Sequence, residues 1–171
     1  MAVRTIRIYG DPVLRQKATK VDAVTPALHK LFDDMVDTMR ANEGIGLSAN
    51  QVGEPYHLMT LDMALFDEQL PPLALFNVEI TEPEGKLLGE EGCLSVPDIR
   101  EDVERSDNIK VNFMTIAGEQ ETLSCSGLLS RVIQHELDHL HGIVFVDKIA
   151  PFKRNLLSSK LKKLAKGELV G

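Results

Sequence analysis

Two histidines four residues apart carry the strongest chemical signal in the sequence, within His135-Glu136-Leu137-Asp138-His139. Residues four apart lie on one face of a helix, one turn above the other, so both imidazoles can reach a single metal ion. Glu136 follows the first histidine directly and could reach a water on that ion without binding the ion, which is the H-E-x-x-H pattern. The alternative is two surface histidines that arose by chance on a polar helix face.

The flanking residues favour a buried helix over a solvated one. Apolar side chains recur at helical spacing after Gly127, and we expect the following to point inward: Leu128, Leu129, Val132, Ile133 and Leu137. The helix is predicted to begin at Ser126 or Gly127, to run to about Leu140 and to stop at Gly142. The histidine pair therefore lies on a predicted core element, which favours metal binding.

A catalytic metal site needs three protein ligands and one open position. Downstream of the motif, His141 is too near on the same helix and Asp147 is poorly placed. Upstream, Cys93 directly follows Gly92, and glycine lets the backbone approach a ligand closely. The residues alone leave Cys93 open between a metal ligand and a buried hydrophobic residue. A Cys/His/His set suits Fe(II) or Zn(II), either of which would lower the pKa of a bound water.

The elements around these residues predict an α+β fold in one domain over residues 1–171. Thr25-Pro26 supplies an N-cap and a first-turn proline for a helix over residues 26–41, with Gly44 as its left-handed cap. Antiparallel strands are then expected to pack around the histidine helix, in runs at residues 56–61, 73–80, 86–88, 99–103, 109–116 and 121–125. A third, C-terminal helix is predicted from about Pro151 to Lys166.

Composition narrows the class of protein further. The sequence has no run of about 18 apolar residues and no secretory signal at its start, so we expect a cytoplasmic protein without a membrane span. Its net charge is −7, but residues 153–171 carry +5 and leave −12 on the rest. The acidic body argues against direct DNA binding, whereas the basic C-terminal helix is open between docking on a partner and simple packing.

Three segments together resemble the signature motifs of the peptide deformylase family: Gly44–Gln51, Glu91–Ser95 and Gln134–His139, in this order and with suitable separation. In isolation, Gly44–Gln51 would be interpreted as a helix-terminating turn of small residues. The resemblance covers nearly the whole chain, and it favours the ligand role for Cys93. The sequence departs from the family at Ser48, where the family usually has alanine, and this change concerns local packing more than activity.

The resemblance implies hydrolysis of the N-formyl group from N-formylmethionine at the start of new polypeptides, with release of formate. Metal-bound hydroxide would attack the formyl carbon, with Glu136 as general acid and base. By position in the family motifs, Cys93, His135 and His139 would bind the metal, Gln51 and the backbone N–H of Leu94 would stabilise the oxyanion, and Ile45, Gly46 and Gly92 would contact the substrate backbone.

The resemblance also implies a metal and a partner. Fe(II) is expected as the native ion, with Zn(II), Ni(II) or Co(II) in preparations, and the basic C-terminal helix is similar in kind to one associated with ribosome docking. Two other functions remain to be weighed: a zincin-type peptidase, and a non-catalytic metal-dependent binding module. Glu136, Gln51 and Cys93 argue against a binding module, because a binder has no need of a general base.

Overall fold

The computed structural model describes residues 2–168, which form three α-helices, seven strands and four short 3₁₀ helices. In chain order the α-helices and strands are α1 (Pro26–Ala41), β1 (Gly46–Ser48), β2 (Leu58–Leu61), β3 (Leu73–Glu84), β4 (Leu87–Cys93), β5 (Val96–Arg105), β6 (Asn108–Met114), β7 (Gln120–Ser126), α2 (Gly127–Leu140) and α3 (Pro151–Ala165). The strands are consecutive and the helices lie outside them in the chain, which confirms the predicted α+β class.

Two antiparallel sheets place the site. Five strands form one sheet in the order β1-β2-β3-β6-β7, while β4 and β5 pair only with each other as a separate hairpin. The hairpin is inserted between two neighbouring strands of the main sheet, β3 and β6. Its tip is therefore free to lie against another element, and Cys93 is the last residue of β4.

Helix α1 begins as the sequence predicts. The Thr25 side chain accepts a hydrogen bond from the backbone N–H of Leu28, and Pro26 occupies the first turn. The helix ends at Ala41 as expected, but the predicted cap is wrong, because Gly44 does not adopt the left-handed conformation. Glu43 does so instead, with a φ of 57°, and Asn42 is the C-cap. Glycine at position 44 instead leaves room for the side chain of Leu94, since a Cβ there would lie 3.0 Å from its Cδ1.

Helix α2 has the predicted bounds and buries the predicted face against β6 and the strands beside it, through Val132, Ile133 and Leu137. The inward position expected for Leu128 is wrong, because 51% of this residue is exposed. Leu128 lies in the first turn, where the helix lines a cavity rather than the core.

The segment after α1 also differs from the expected turn. It contains a short edge strand, β1, followed directly by a 3₁₀ helix at Ala49–Val52. The left-handed Gly53 ends this helix. Because β1 pairs with β2, the loop becomes the edge of the main sheet and faces α2.

Helix α3 confirms the predicted C-terminal helix and packs on a third core cluster through Leu161 and Leu164. Its close approach depends on Gly10, where a Cβ would lie 2.5 Å from Cα of Ala165. In the part of the chain described, residues 2–168, no helix is both long and apolar enough to cross a membrane.

Candidate metal centre

Three ligand side chains from two elements meet at one point. Cys93 ends β4, whereas His135 and His139 lie one turn apart on α2. One ligand atom from each residue lies within 4.8 Å of the others, and Sγ of Cys93 is 3.2 Å from Nε2 of His139. Both imidazoles are buried and Cys93 is half-buried, so the protein shields most of this group from solvent.

A carboxylate orients the first histidine. Nδ1 of His135 lies 2.8 Å from Oε1 of Glu91, which leaves Nε2 as the nitrogen available to a metal. Glu91 also accepts two hydrogen bonds from Arg105, at 2.8 and 2.9 Å, and one from Arg131 at 2.6 Å. Burial alone would raise the pKa of Glu91, but Arg105 and His135 outweigh it and lower the pKa to about 2.

No role for the residues that contact Glu91, Arg105 and Arg131, was predicted from the sequence. Arg105 also binds Asp138 of the histidine motif, and Arg131 donates to the carbonyls of Leu87 and Val103 on the hairpin. These contacts fasten the β4–β5 hairpin to α2. A signal was available for Glu91, because residues two apart in a strand share a face, which places its side chain beside that of Cys93.

Glu136, the residue after the first histidine on α2, has an unusual environment. Its side chain is buried, and Oε1 has no hydrogen-bond partner among the described residues. Burial raises its pKa to about 7. Gly46 of β1 makes room for it, since a Cβ at that position would lie 3.0 Å from Oε2 of Glu136 and 2.9 Å from Val132. The strand backbone can therefore lie directly against the helix.

The two histidines differ in charge preference. Burial lowers the pKa of His139 well below its usual value, and the neighbouring His135 lowers it further. For His135, burial also lowers the pKa, but hydrogen bonds to Cys93 and Glu91 raise it well above the usual value. A cation between these side chains would replace a proton there, because metal ligands bind in their deprotonated forms.

The amide of Gln51 reaches the same point from the 3₁₀ helix. Its Nε2 donates to Oγ of Ser95 at 3.0 Å and lies 3.6 Å from Sγ of Cys93. Its Oε1 accepts from the backbone N–H of Ser48 at 3.0 Å. The amide is therefore fixed with its nitrogen toward the ligand group and its oxygen away from it.

A cavity of about 690 Å³ opens onto this group, a volume within the range of small-ligand sites. The residues expected to contact substrate all line it: Ile45, Gly46 and Gly92. Both expected oxyanion donors, Gln51 and Leu94, also line it, as do Cys93 and His135. Val132 also lines the cavity, whereas Ile133 is fully buried in the core. Cys125, the other cysteine, lies half-buried in β7 and packs against the core of α2, and burial raises its pKa to about 11.

The donor set fits a divalent transition metal. One thiol and two imidazoles are the usual ligands of Zn(II) and also suit Fe(II), and three protein ligands leave a position open. An unpartnered buried carboxylate oxygen beside them fits the need for a proton acceptor at that position. An α+β fold with this group at the base of a cavity defines a metal-dependent hydrolase.

The comparisons identify which hydrolase family this is. The sequence model of the polypeptide deformylase family matches residues 3–155, and the chain belongs to that family. A peptide deformylase from Mesorhizobium japonicum is 42% identical over 176 residues, which covers 100% of both proteins. The resemblance inferred from the three motifs is thus confirmed over the full length.

Solved structures agree with the fold. A peptide deformylase from Legionella pneumophila is 35% identical, with a TM-score of 0.88 and 96% of each chain covered. A peptide deformylase from Ehrlichia chaffeensis, solved in complex with actinonin, is 34% identical with a TM-score of 0.87, over 95% of this chain and 98% of that one. Neither the peptidase nor the binding-module alternative is favoured by these relatives.

Proposed function

We propose that this protein hydrolyses the N-formyl group of N-formylmethionine at the start of newly made polypeptides and releases formate. The observation that carries this proposal is the ligand group of Cys93, His135 and His139, which has the buried carboxylate of Glu136 next to His135 in α2. The cavity beside this group is lined by Cys93, His135 and the amide-bearing Gln51. Hydrolysis of a formamide needs a Lewis acid, a proton acceptor and an oxyanion donor, and each has a candidate here.

The metal ligands would be Cys93, His135 and His139, with Glu91 holding His135 in the correct tautomer. When bound, a divalent ion would supply Lewis acidity to the formyl oxygen and to water. We propose Fe(II) as the native ion, with Zn(II), Ni(II) or Co(II) able to occupy the ligands in preparations. This order rests on the family resemblance together with a donor set that accepts all four ions.

The chain's own groups would divide the proton and charge transfer. Glu136 would accept a proton from the attacking water and return it to the departing amine. Its Oε1 is available for this proton because no other group among the described residues hydrogen-bonds to it. Gln51, through its side-chain N–H, and Leu94, through its backbone N–H, would stabilise the oxyanion. Such donors typically contribute about 3–4 kcal/mol each to barrier lowering.

The substrate backbone would lie between two strand ends. Gly46 is the first residue of β1, the edge strand of the main sheet, and Ile45 directly precedes it. Gly92 lies in β4 on the hairpin. An extended peptide can add to such edges through main-chain hydrogen bonds. Glycine at two of these positions keeps the backbone accessible, since Cβ atoms there would collide with Glu136 or Arg100.

The test is release of formate from formyl-Met-Ala-Ser under anaerobic conditions, with metal analysis of the same sample. We expect turnover by the iron-loaded protein and none with an unformylated peptide, which distinguishes a deformylase from a peptidase. Glu136→Ala should keep its metal and lose about 10²–10⁴-fold in kcat. An iron-loaded protein without turnover would overturn the proposal, and an active Glu136→Ala variant would overturn the assigned role.

We also propose that residues 1–171 form one domain and that the protein acts in the cytoplasm. There, the basic helix α3 would dock on the ribosome. Leu161 and Leu164 are buried against the body, while Lys160, Lys162 and Lys163 are exposed. Attraction to ribosomal RNA would weaken as salt rises. Co-sedimentation with bacterial ribosomes should therefore fall with salt and with triple replacement of these lysines by glutamate, and equal sedimentation of that variant would contradict docking.

A further inference from the structure

The hydroxyl of Ser48 lies within hydrogen-bond distance of two carboxamide oxygens. Its Oγ is 2.9 Å from Oε1 of Gln51 and 2.8 Å from Oδ1 of Asn50. All three side chains are buried. In contrast to the packing role expected from the sequence, we propose that Ser48 is a positioning residue for Gln51 and fixes the amide in the orientation that presents an N–H to the reacting carbonyl. This inference rests on the oxyanion role proposed above for Gln51.

The orientation of the Gln51 amide follows from its other contacts. The backbone N–H of Ser48 can only donate, and it lies 3.0 Å from the amide atom assigned as Oε1, so that atom must be an oxygen. The opposite atom is then Nε2, which donates to Oγ of Ser95 at 3.0 Å. Its second N–H points toward Sγ of Cys93, 3.6 Å away, at the wall of the cavity.

The same pattern is visible in the sequence as a capping box, Ser48-x-x-Gln51, at the start of the 3₁₀ helix Ala49–Val52. In this arrangement the glutamine side chain reaches back to the N–H of the capping serine. The serine hydroxyl then reinforces that bond, because it donates to the same oxygen. The serine that caps the short 3₁₀ helix therefore also orients the Gln51 amide toward the ligand group.

Asn50 connects this pair to a metal ligand. Its Nδ2 donates to the carbonyl of His139, so its Oδ1 is the atom that faces Ser48. The serine hydroxyl has one hydrogen for two acceptors and must share it between them. The amide of Gln51 is thus linked, through Ser48 and Asn50, to the backbone of the helix that holds His139.

Loss of the hydroxyl should act on the transition state rather than on binding. The last torsion of a glutamine side chain is broad, so its hydrogen bonds decide its orientation. With alanine at position 48, only the backbone N–H would hold Oε1, and the amide would sample orientations that do not face the oxyanion. A donor needed as charge develops affects kcat, whereas uniform binding affects KM.

The test measures formate release by metal-loaded Ser48→Ala. We expect kcat to fall about fivefold, the size of one neutral hydrogen bond, with KM within about twofold of the unchanged protein. In a Gln51→Ala background the same substitution should change kcat no further, because the amide that Ser48 positions is gone. Ser48→Cys, similar in volume but a weaker donor, should give an intermediate kcat.

Ser130→Ala is the matched control. Ser130 is also buried, and its hydroxyl donates to the carbonyl of Ser106 away from the ligand group, so kcat should not change. An unchanged kcat in Ser48→Ala beside a lowered kcat in Gln51→Ala would overturn the positioning role and leave the proposed function intact. Equal losses from Ser48→Ala in both backgrounds would assign Ser48 a purely structural role. No loss in Gln51→Ala would overturn the oxyanion role itself.

Discussion

Several side chains that are not themselves metal ligands decide how the ligands are held. Glu91 accepts hydrogen bonds from Arg105, Arg131 and His135 while almost fully buried. A buried carboxylate is costly unless its oxygens are satisfied, and here cationic donors surround them. The arrangement stabilises one tautomer of His135 and ties the hairpin to α2, so an electrostatic contact also determines ligand geometry.

Glu91→Gln tests this orienting role. The amide has an NH2 group in place of one acceptor oxygen, so it cannot accept at both positions where Glu91 does, one facing His135 and the other facing Arg105 and Arg131. The His135 ring should therefore be held less firmly. We expect metal affinity to fall about 10- to 100-fold, measured by competition with a chelator. Glu104→Gln is the control, since Glu104 is exposed and forms an ion pair with Lys86, away from the ligand group. Equal affinities of the two variants would contradict the role.

A second buried group predicts how stability depends on pH. His57 is 5% exposed, and its Nδ1 accepts a hydrogen bond from the backbone N–H of Val78 at 3.3 Å, which requires the unprotonated form. Burial, followed by the nearby His141, lowers the pKa of His57 to about 4 from its usual 6.5. Between these values the unfolded chain binds the extra proton. The contribution of His57 is therefore fully present above pH 6.5 and is lost as pH falls toward about 4.

Urea unfolding at two pH values measures this effect. From about pH 7.5 to about pH 5, His57 should remove ~2 kcal/mol from the free energy of unfolding. His57→Asn retains an acceptor but cannot titrate, so its unfolding free energy should fall by that much less over the same interval. Both proteins must carry the same metal, which cancels the titration of the ligands. Parallel losses in the two proteins would refute the assignment.

At the scale of elements, the sequence predicted the helices and their ends well, but the ends of the strands less well, as in β4 and β5. Helix α2 was predicted because apolar residues recur at helical spacing, and its histidines follow from that spacing. The strand β1 was missed because three residues, two of them small, carry no period of their own. It becomes a strand only because β2 supplies hydrogen-bond partners.

Gly10→Ala tests how α3 is held. Gly10 has a φ of 101°, and a Cβ would lie 2.5 Å from the backbone of Ala165. We expect a lower melting temperature and faster amide hydrogen exchange in α3, because the helix must move away. Gly118→Ala shares the positive φ, 82°, but its Cβ would meet no atom within 4 Å. Faster exchange in α3 that Gly118→Ala reproduces would show that backbone strain, not the close contact, is responsible.

At the scale of the whole molecule, the ligands join two parts of the core. Cys93 packs with the cluster beneath α3, whereas α2 buries its apolar face in the cluster of the main sheet. A metal held by both would bind only the folded chain. It would therefore add to stability as any ligand of the native state does.

Metal removal should show this coupling. At a free metal concentration of about 100 times Kd, the bound ion adds about 2.7 kcal/mol to the free energy of unfolding. We expect a chelator to lower the melting temperature of the zinc-loaded protein, and zinc to restore it. Cys93→Ala should respond much less to both treatments, because one ligand is missing. A melting temperature that ignores the chelator would contradict a metal shared between the two clusters.

The sequence by itself determined the features that depend on neighbours in the chain. The cap at Thr25, the extent of α2 and the spacing of His135 and His139 are local, because helical period and hydrogen bonding act over a few residues. Motif resemblance then supplied Cys93, which local pattern alone had left open.

Only the tertiary structure decided how distant residues meet. Cys93 reaches His139, 46 residues further along, because the β4–β5 hairpin folds onto α2. The hydrogen bonds of Glu91 with Arg105 and of Ser48 with Gln51 and Asn50 likewise depend on which groups lose water together. Burial makes each unpaired polar atom costly, so the groups that pack together must form hydrogen bonds with one another. Sequence spacing does not predict which groups these are.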